Sequence, residues 1–280
     1  NYAAHGGFCS VNMAAAGIYT IGGSFWEFGS PDWEKTELLL LFGVAEDHDS
    51  NPIKRGLGKL KDRSARVVAI NPVRTGYNSI ADQWIGIRPG TDGLLVLSLV
   101  HTLLKRKKID LEYLQSFTNA PFLVNISTTD SNKGLFLRDK DGFPIVIDHF
   151  SGELKRFSDK GVKPSLTKSH SNKNGSFKTV FSLLTEKYLD DSYSPKLIAP
   201  QCGLKEEQIL SLAEEIASTA FNKAIHIDQD WIDFRGEKRS GFVGRPVSFH
   251  AMRGISAHSN GFQTCRAIHL LQIIIGSVAV

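Results

Sequence analysis

Five short stretches of the chain carry side chains able to do chemistry. Cys9 lies in the glycine-rich run His5-Gly6-Gly7-Phe8-Cys9-Ser10; taken alone, such a cysteine reads as a small buried hydrophobe more readily than as a metal ligand. Glu46, Asp47, His48 and Asp49 follow an apolar run. Their oxygens suit a hard cation, and the same residues suit a strand-end loop that contacts a nucleotide or caps the next helix. Asn71 to Thr75 end a second apolar run, and Gly90-Thr91-Asp92 follow Arg88-Pro89. A Pro-Gly pair followed by Thr and Asp makes a tight turn that delivers a hydroxyl and a carboxylate at a helix N-terminus, for a polar ligand or simply for capping. The fifth stretch, Ser256-Ala257-His258, is a polar loop with one titratable imidazole.

The elements that must position these residues alternate. Residues 37 to 43, Glu-Leu-Leu-Leu-Leu-Phe-Gly, are a continuous apolar run closed by glycine, as suits a strand buried on both faces. Pro52 stands near a first helical turn, with Ile53, Leu57 and Leu60 at helical spacing. A second buried strand, Ala65 to Pro72, follows; strand, helix and strand make a parallel crossover unit. Trp84 to Ile87 read as a third strand and Asp92 to Leu104 as a helix. The strands end at Gly43, Asn71 and Pro89, and open parallel sheets bind ligands outside the carboxyl ends of their strands. Three loops of one sheet could therefore line one crevice. The fold class expected is α/β, a Rossmann-like, doubly wound, mostly parallel sheet with helices on both faces and inserted β-hairpin excursions. One such domain would span residues 1–280. It would carry a loop-rich insertion over about 119–177, including a hairpin turning at Asp141-Gly142, and a second hairpin over about 229–246 around Arg235-Gly236. Helical patterning resumes after the first insertion and again at Leu204 to Thr219, and residues 224–228 read as a strand.

Composition excludes several classes. Thirty-three basic against 29 acidic residues give a net charge of +4, too balanced to advertise a nucleic-acid partner. No apolar run is long enough to span a bilayer. Cys9, Cys202 and Cys265 are far apart and fit no disulfide framework or metal-ligand spacing, which mildly favours a reducing compartment. No Gly-x-Gly-x-x-Gly follows any of the strands, which argues against a plain nicotinamide-dependent dehydrogenase. The first residue is Asn1, and the apolar stretch Leu270 to Val280 has no polar finish, so the sequence reads as an internal fragment of a longer chain.

The stretch Ile80-Ala81-Asp82-Gln83-Trp84-Ile85-Gly86-Ile87-Arg88-Pro89-Gly90-Thr91-Asp92-Gly93-Leu94-Leu95 resembles the corresponding stretch of the molybdopterin oxidoreductase superfamily. Leu41 to Pro52 look like its first cofactor loop, Val67 to Arg74 like its second strand and turn, and His5 to Gly17 like the segment that bears its metal-ligating residue. What the resemblance implies is part of a catalytic subunit holding a molybdenum or tungsten bis(molybdopterin guanine dinucleotide). Cys9 would be the thiolate ligand. Phe42, Gly43, Val44, Ala45, Glu46, Asp47, His48 and Asp49 would form the first loop, Asn71, Pro72, Val73, Arg74 and Thr75 the second, and Gly90, Thr91 and Asp92 the third. Asp92 would accept from the guanine edge. Met252, Arg253 and Gly254 resemble a cofactor-side turn, and His258 would lie near the active site as a proton carrier or oxyanion contact.

The resemblance further implies two-electron oxygen-atom transfer on a small oxyanion. The cytoplasmic, sulfite-oxidising branch stands first, with nitrate reductases and formate dehydrogenases as alternatives. It would be accompanied by a 4Fe-4S cluster upstream and by two partners, one an iron-sulfur electron-transfer subunit, the other a membrane quinone-reactive subunit. Some positions depart from the pattern. Ala45 stands where the family often has Asn, and Asn71 where it often has Asp. Ser10-Val11 rather than His-Gly follow Cys9, which argues against formate. A non-catalytic scaffold relative, as in respiratory complex I, is the rival of another class; Cys9 and Asp92 speak against it.

Overall fold

The computed structural model describes residues 10–23, 31–44, 52–74, 76–127, 131–172, 175–251 and 253–278. In chain order come helix α1 (Ser10–Ile21), strand β1 (Leu38–Phe42), α2 (Pro52–Asp62), β2 (Arg66–Ile70), α3 (Tyr77–Ile80), β3 (Gln83–Ile85) and α4 (Asp92–Lys105). There follow α5 (Leu111–Phe117), β4 (Leu123–Asn125), β5 (Ile145–Ile147), β6 (Leu154–Arg156), β7 (His170–Asn172), β8 (Gly175–Thr179) and α6 (Val180–Tyr188). Last are α7 (Pro195–Cys202), α8 (Glu206–Asn222), β9 (Ile225–Ile232), β10 (Lys238–Gly244), β11 (Val247–Ala251), α9 (Arg253–Ser256) and α10 (Gly261–Ile275).

These elements divide into two compact units. The first comprises Asn1–Ile109, Asp190–Ile225 and Val243–Val280; the second comprises Asp110–Leu189 and His226–Phe242. The second unit is wider than the excursion expected over 119–177, because α5 and α6 join it at either end.

The first unit is built on a four-stranded sheet in the order β11-β1-β2-β3, with every neighbouring pair parallel. Leu38 to Phe42 are all buried, as their unbroken apolar run requires. Leu39, Leu41 and Val67 form one cluster with Ile53, Leu57 and Leu60 of α2, so the helical spacing of those three residues is the face that α2 lays on the sheet. Gly56 lets the Trp33 ring pack against α2 at the edge of this cluster, since a Cβ there would stand 2.4 Å from that ring. The strand expected over 84–87 is instead Gln83–Ile85, and residues 86–91 already belong to the turn. β11 has no counterpart among the expected strands. Its Val-Ser-Phe-His-Ala pattern mixes polar with apolar side chains, as befits the outer strand of the four, and it pairs with β1 from Leu38↔Val247 to Phe42↔Ala251.

In the second unit β4, β8 and β7 form an antiparallel sheet in the order β4-β8-β7, and β5 pairs with β6. Leu123, Ile147 and Phe177 make its core. The expected turn at Asp141-Gly142 is present, with Gly142 at φ +85, but pairing across it shrinks to the single bridge Arg138↔Pro144. Pro144 has no N–H to extend the ladder, and Ile145–Ile147 pair with Leu154–Arg156 instead. β9 and β10 form a two-stranded sheet whose turn closes with Gly236 N–H donating to Asp233 O at 2.9 Å. Among the described residues no helix is long and apolar enough to cross a membrane.

His250 stands opposite Leu41 in the sheet, and its Nε2 is enclosed without a partner among the described residues. Burial pulls this imidazole down to about 4. An unfolded histidine titrates near 6.5, so between those values the unfolded chain binds more protons and stability falls as pH drops. Urea unfolding from about pH 7 to about pH 4.5 should therefore show a steeper loss in the native sequence than in His250→Leu, by up to roughly 1.4 kcal/mol per pH unit. Parallel pH profiles would remove His250 as the source.

Candidate functional site

Four chain turns meet at the carboxyl ends of the parallel strands. After β1 the chain passes through Gly43, at φ +61, to Val44. After β2 comes Asn71, whose Nδ2 donates to Val44 O at 3.2 Å and whose own carbonyl accepts from Trp84 Nε1 at 2.9 Å. The second loop is thereby tied to the first and to β3. Arg74 is exposed, with its guanidinium 6.0 Å from the centre of the Trp84 ring.

The third turn is Arg88-Pro89-Gly90-Thr91. Thr91 N–H donates to Arg88 O at 3.3 Å and Gly90 sits at φ +79, the conformation that a Pro-Gly turn of type II demands. The capping alternative fails for Thr91: its hydroxyl donates back to Arg88 O at 2.7 Å, and it makes no side-chain cap on α4. Asp92 is the first residue of α4 and only 7% exposed. Burial pushes its carboxyl up, opposed by its own backbone N–H and by the nearby His258. An acidic side chain at a helix N-terminus sets acceptor oxygens beside the positive end of the helix dipole.

The fourth turn follows β11, where strand order reverses: β1 leads to β2 on one side and touches β11 on the other. Here Gly254 approaches the first loop so closely that a Cβ on it would stand 2.7 Å from Gly43 O, and a Cβ on Gly43 would stand 2.9 Å from Ile255 Cγ2. From this turn the chain runs to His258, whose Nδ1 lies 3.9 Å from where a Gly90 Cβ would be, and to Asn260, whose Nδ2 donates to Gly90 O at 3.1 Å. α10 then starts against α4, with Thr264 Oγ1 2.9 Å from where a Gly93 Cβ would be.

Phe42, Gly43, Val44, Asn71, Pro72, Val73, Arg74, Gly90, Thr91, Asp92, Arg253, Gly254 and His258 thus all lie at strand ends or in the turns that follow them. The contacts above join the first loop to the second and to the fourth turn, and the third turn to His258. Cys9, Ala45, Glu46, Asp47, His48, Asp49, Thr75 and Met252 lie outside the described residues. Among the described residues no group of three or more His, Cys, Asp or Glu could hold a metal ion. Three contributors went unread in the sequence. Ile255 covers Gly43; Asn260 anchors Gly90; and Cys202 supports the third turn, its carbonyl accepting from Arg88 N–H at 2.9 Å and its thiol facing Thr91 O at 3.7 Å. Their signal is tertiary, since all three are distant in sequence from the turns that they hold.

The close glycine contact at the strand-order reversal and the acidic start of α4 both lie at the carboxyl ends of the strands, where open parallel sheets bind their ligands. The chain belongs to the molybdopterin oxidoreductase family, whose model matches residues 1–280. It is similar to a sulfite dehydrogenase subunit of Allochromatium vinosum, at 41% identity over 99% of this chain and 30% of that protein. It is also similar to a tetrathionate reductase subunit of Salmonella typhimurium, at 27% identity over 80% of this chain and 25% of that protein. In structure it resembles acetylene hydratase from Pelobacter acetylenicus, with a TM-score of 0.58 and 16% identity over 100% of this chain and 26% of that one. The chain therefore spans about a third or less of the length of these relatives.

The Gly43–Gly254 contact is backbone against backbone, so neither side can yield as a flexible side chain would. Gly254→Ala should destabilise the first unit by about 1–3 kcal/mol, because the added methyl group must push the two turns apart. A shift in the urea midpoint would measure it; a variant as stable as the native chain would show that the close approach is not a constraint.

Proposed function

We propose that the chain is the Rossmann-like, dinucleotide-holding part of the catalytic subunit of a molybdenum or tungsten oxidoreductase that oxidises sulfite. The observation that carries the reading is the convergence of the turns after β1 and β11 through Gly43 and Gly254, with buried Asp92 at the start of α4 in the same sheet-end layer. The likeness to the sulfite dehydrogenase of Allochromatium vinosum over 99% of the chain supports sulfite ahead of nitrate or formate.

The residues fit a bis(molybdopterin guanine dinucleotide). With no Cβ on Gly43 or Gly254, the turns after β1 and β11 come together backbone to backbone at the strand ends, and Asp92 offers acceptor oxygens at a helix start. When bound, the group supplies two-electron, oxygen-atom-transfer chemistry at its metal. Cys9 would donate a thiolate, a soft ligand for that metal. Gly43 to Asp49 and Asn71 to Thr75 would line the dinucleotide. With Nδ2 engaged on Val44, Asn71 has its Oδ1 to accept from a ribose hydroxyl. The Asp92 carboxylate, once ionised, would accept two hydrogen bonds from the guanine edge, and those charge-assisted bonds would offset the cost of keeping its charge buried. Arg253 and Gly254 would close the fourth side, and His258 would hold or move a proton beside Gly90. The whole protein would carry a 4Fe-4S cluster outside this stretch and work in the cytoplasm with iron-sulfur and membrane quinone-reactive subunits.

Metal and nucleotide analysis of the full-length protein, purified without oxygen, tests this. Molybdenum or tungsten and acid-released GMP should both be present, at about one metal and two nucleotides per chain, and sulfite should be oxidised. Protein from a cofactor-competent host with neither would make the chain a scaffold relative. Two variants separate the roles. Cys9→Ala should abolish turnover with the fold intact, and Asp92→Asn, which exchanges an acceptor for a donor, should lower the GMP content by about tenfold or more. Unchanged turnover in Cys9→Ala would remove it as the ligand.

A further inference from the structure

Helix α1 (Ser10–Ile21) carries no charged residue along its twelve positions, Ser-Val-Asn-Met-Ala-Ala-Ala-Gly-Ile-Tyr-Thr-Ile. One side of it faces the first unit, where it lies along α10. Asn12, Ala16 and Thr20, four residues apart, are on that side: Asn12 Nδ2 donates to Ser256 O at 3.0 Å, Ala16 is fully buried, and Thr20 Oγ1 and His269 Nδ1 of α10 lie 2.8 Å apart. The helix thus turns an amide and a hydroxyl inward, against the usual order of a surface helix, which keeps apolar residues inside and polar ones outside.

The other side is apolar and exposed. Val11, Ala15 and Ile18 recur there at helical spacing, with Tyr19 beside them; Val11 is 55% exposed, Ile18 56% and Tyr19 75%. Tyr19 meets Phe262 of α10 edge-on at 6.2 Å, and the Arg266 guanidinium lies 5.7 Å from the centre of that same ring. The apolar stripe therefore continues from α1 onto α10.

A helix that is apolar all round belongs in an interior. Size and charge decide which interior. A bilayer span needs about 20 residues, and a helix lying on a membrane surface carries Lys or Arg on its polar face; α1 has twelve residues and neither of these cations. A second copy or a separate subunit held by this face alone would find about 18 Å of helix, roughly 200 Å² in projection, against about 800 Å² per partner in a stable association. A segment of the same polypeptide needs no such area, because its tether keeps it at high local concentration. Relatives of this chain have polypeptide to supply it: the chain spans 30% of the sulfite dehydrogenase subunit that it resembles.

We propose that the outer face of α1 is the docking surface for an uncharged, apolar segment of the same polypeptide outside residues 1–280, whose side chains pack over Val11, Ile18 and Tyr19. α1 is then an internal helix of the whole protein, held by hydrogen bonds on one side and by hydrophobic burial on the other. The absence of charge fits a contact that is made once and kept, since a face that must also meet water carries a polar rim. The contact forms whatever the substrate is.

Two measurements on the full-length protein test this. In the unmodified protein, hydroxyl-radical oxidation of Tyr19 should be slower than in urea-unfolded protein by about tenfold or more, as for a side chain reached only through local opening. With p-benzoylphenylalanine in place of Tyr19, irradiation should crosslink position 19 to a peptide of the same polypeptide from outside residues 1–280, leaving the denatured mass unchanged. Tyr19 oxidised as fast in the folded as in the unfolded protein would overturn the proposal. So would a crosslink to residues 1–280, to a second copy, to another subunit or to lipid, or no crosslink at all.

Discussion

The first unit depends on one constraint: at the strand-order reversal beside β1, two turns must pass each other backbone to backbone. β1 pairs with β2 on one side and β11 on the other, so its C-terminal turn and that of β11 emerge side by side. Nothing larger than hydrogen fits on Gly43 or Gly254 without moving a backbone oxygen or an isoleucine methyl group. Gly43 also takes a left-handed φ of +61, so the first glycine is required twice over. The remaining strand ends are brought to this point by hydrogen bonds: Asn71 to Val44, Trp84 to Asn71, and Asn260 to Gly90. These bonds make separate turns into one surface.

Behind that surface the sheet and helices supply rigidity. The five residues of β1 are buried without exception, and α2 lays Ile53, Leu57 and Leu60 on one face. α4, which starts at Asp92, buries Leu95, Val96, Leu99, Val100 and Leu103 and contacts α10, α7 and α8. A helix so enclosed cannot shift its first turn without disturbing three neighbours. The Asp92 carboxylate, raised by burial, is therefore held in place by hydrophobic packing rather than by a cap, because Thr91 gives its hydroxyl to Arg88 instead.

Much of this was legible in the sequence, for physical reasons that differ by element. The unbroken run Leu38–Phe42 marks a strand with two covered faces, Pro52 marks a first helical turn, and Pro89-Gly90 marks the turn before α4; each signal is local. β11 was not legible. Ser248 and His250 interrupt its apolar pattern, and its partner β1 lies about two hundred positions away, so only the sheet reveals it. The supporting contacts of Cys202, Ile255 and Asn260 escaped for the same reason. The membership of the chain in its family was legible from the strand-end stretches, which are the places where a sheet of this order leaves backbone free to meet a ligand.

The polar choices in β11 now have a context. Ser248 shares a hydrogen bond of 2.7 Å with Thr36, and His250 is enclosed with an unpartnered Nε2, two residues before Met252 and the turn after β11. An apolar residue at either position would serve the outer strand better if packing were all that mattered. Burial keeps His250 neutral down to about pH 4, so β11 brings no positive charge from this position at neutral pH. Asp92, by contrast, sits at the start of α4 and not in a strand. Arg66, the one permanently charged residue of the four strands, stands at the opposite, amino end of β2 and pairs with Glu215 at 2.6 Å, so at the carboxyl edge the charge is carried by the turns.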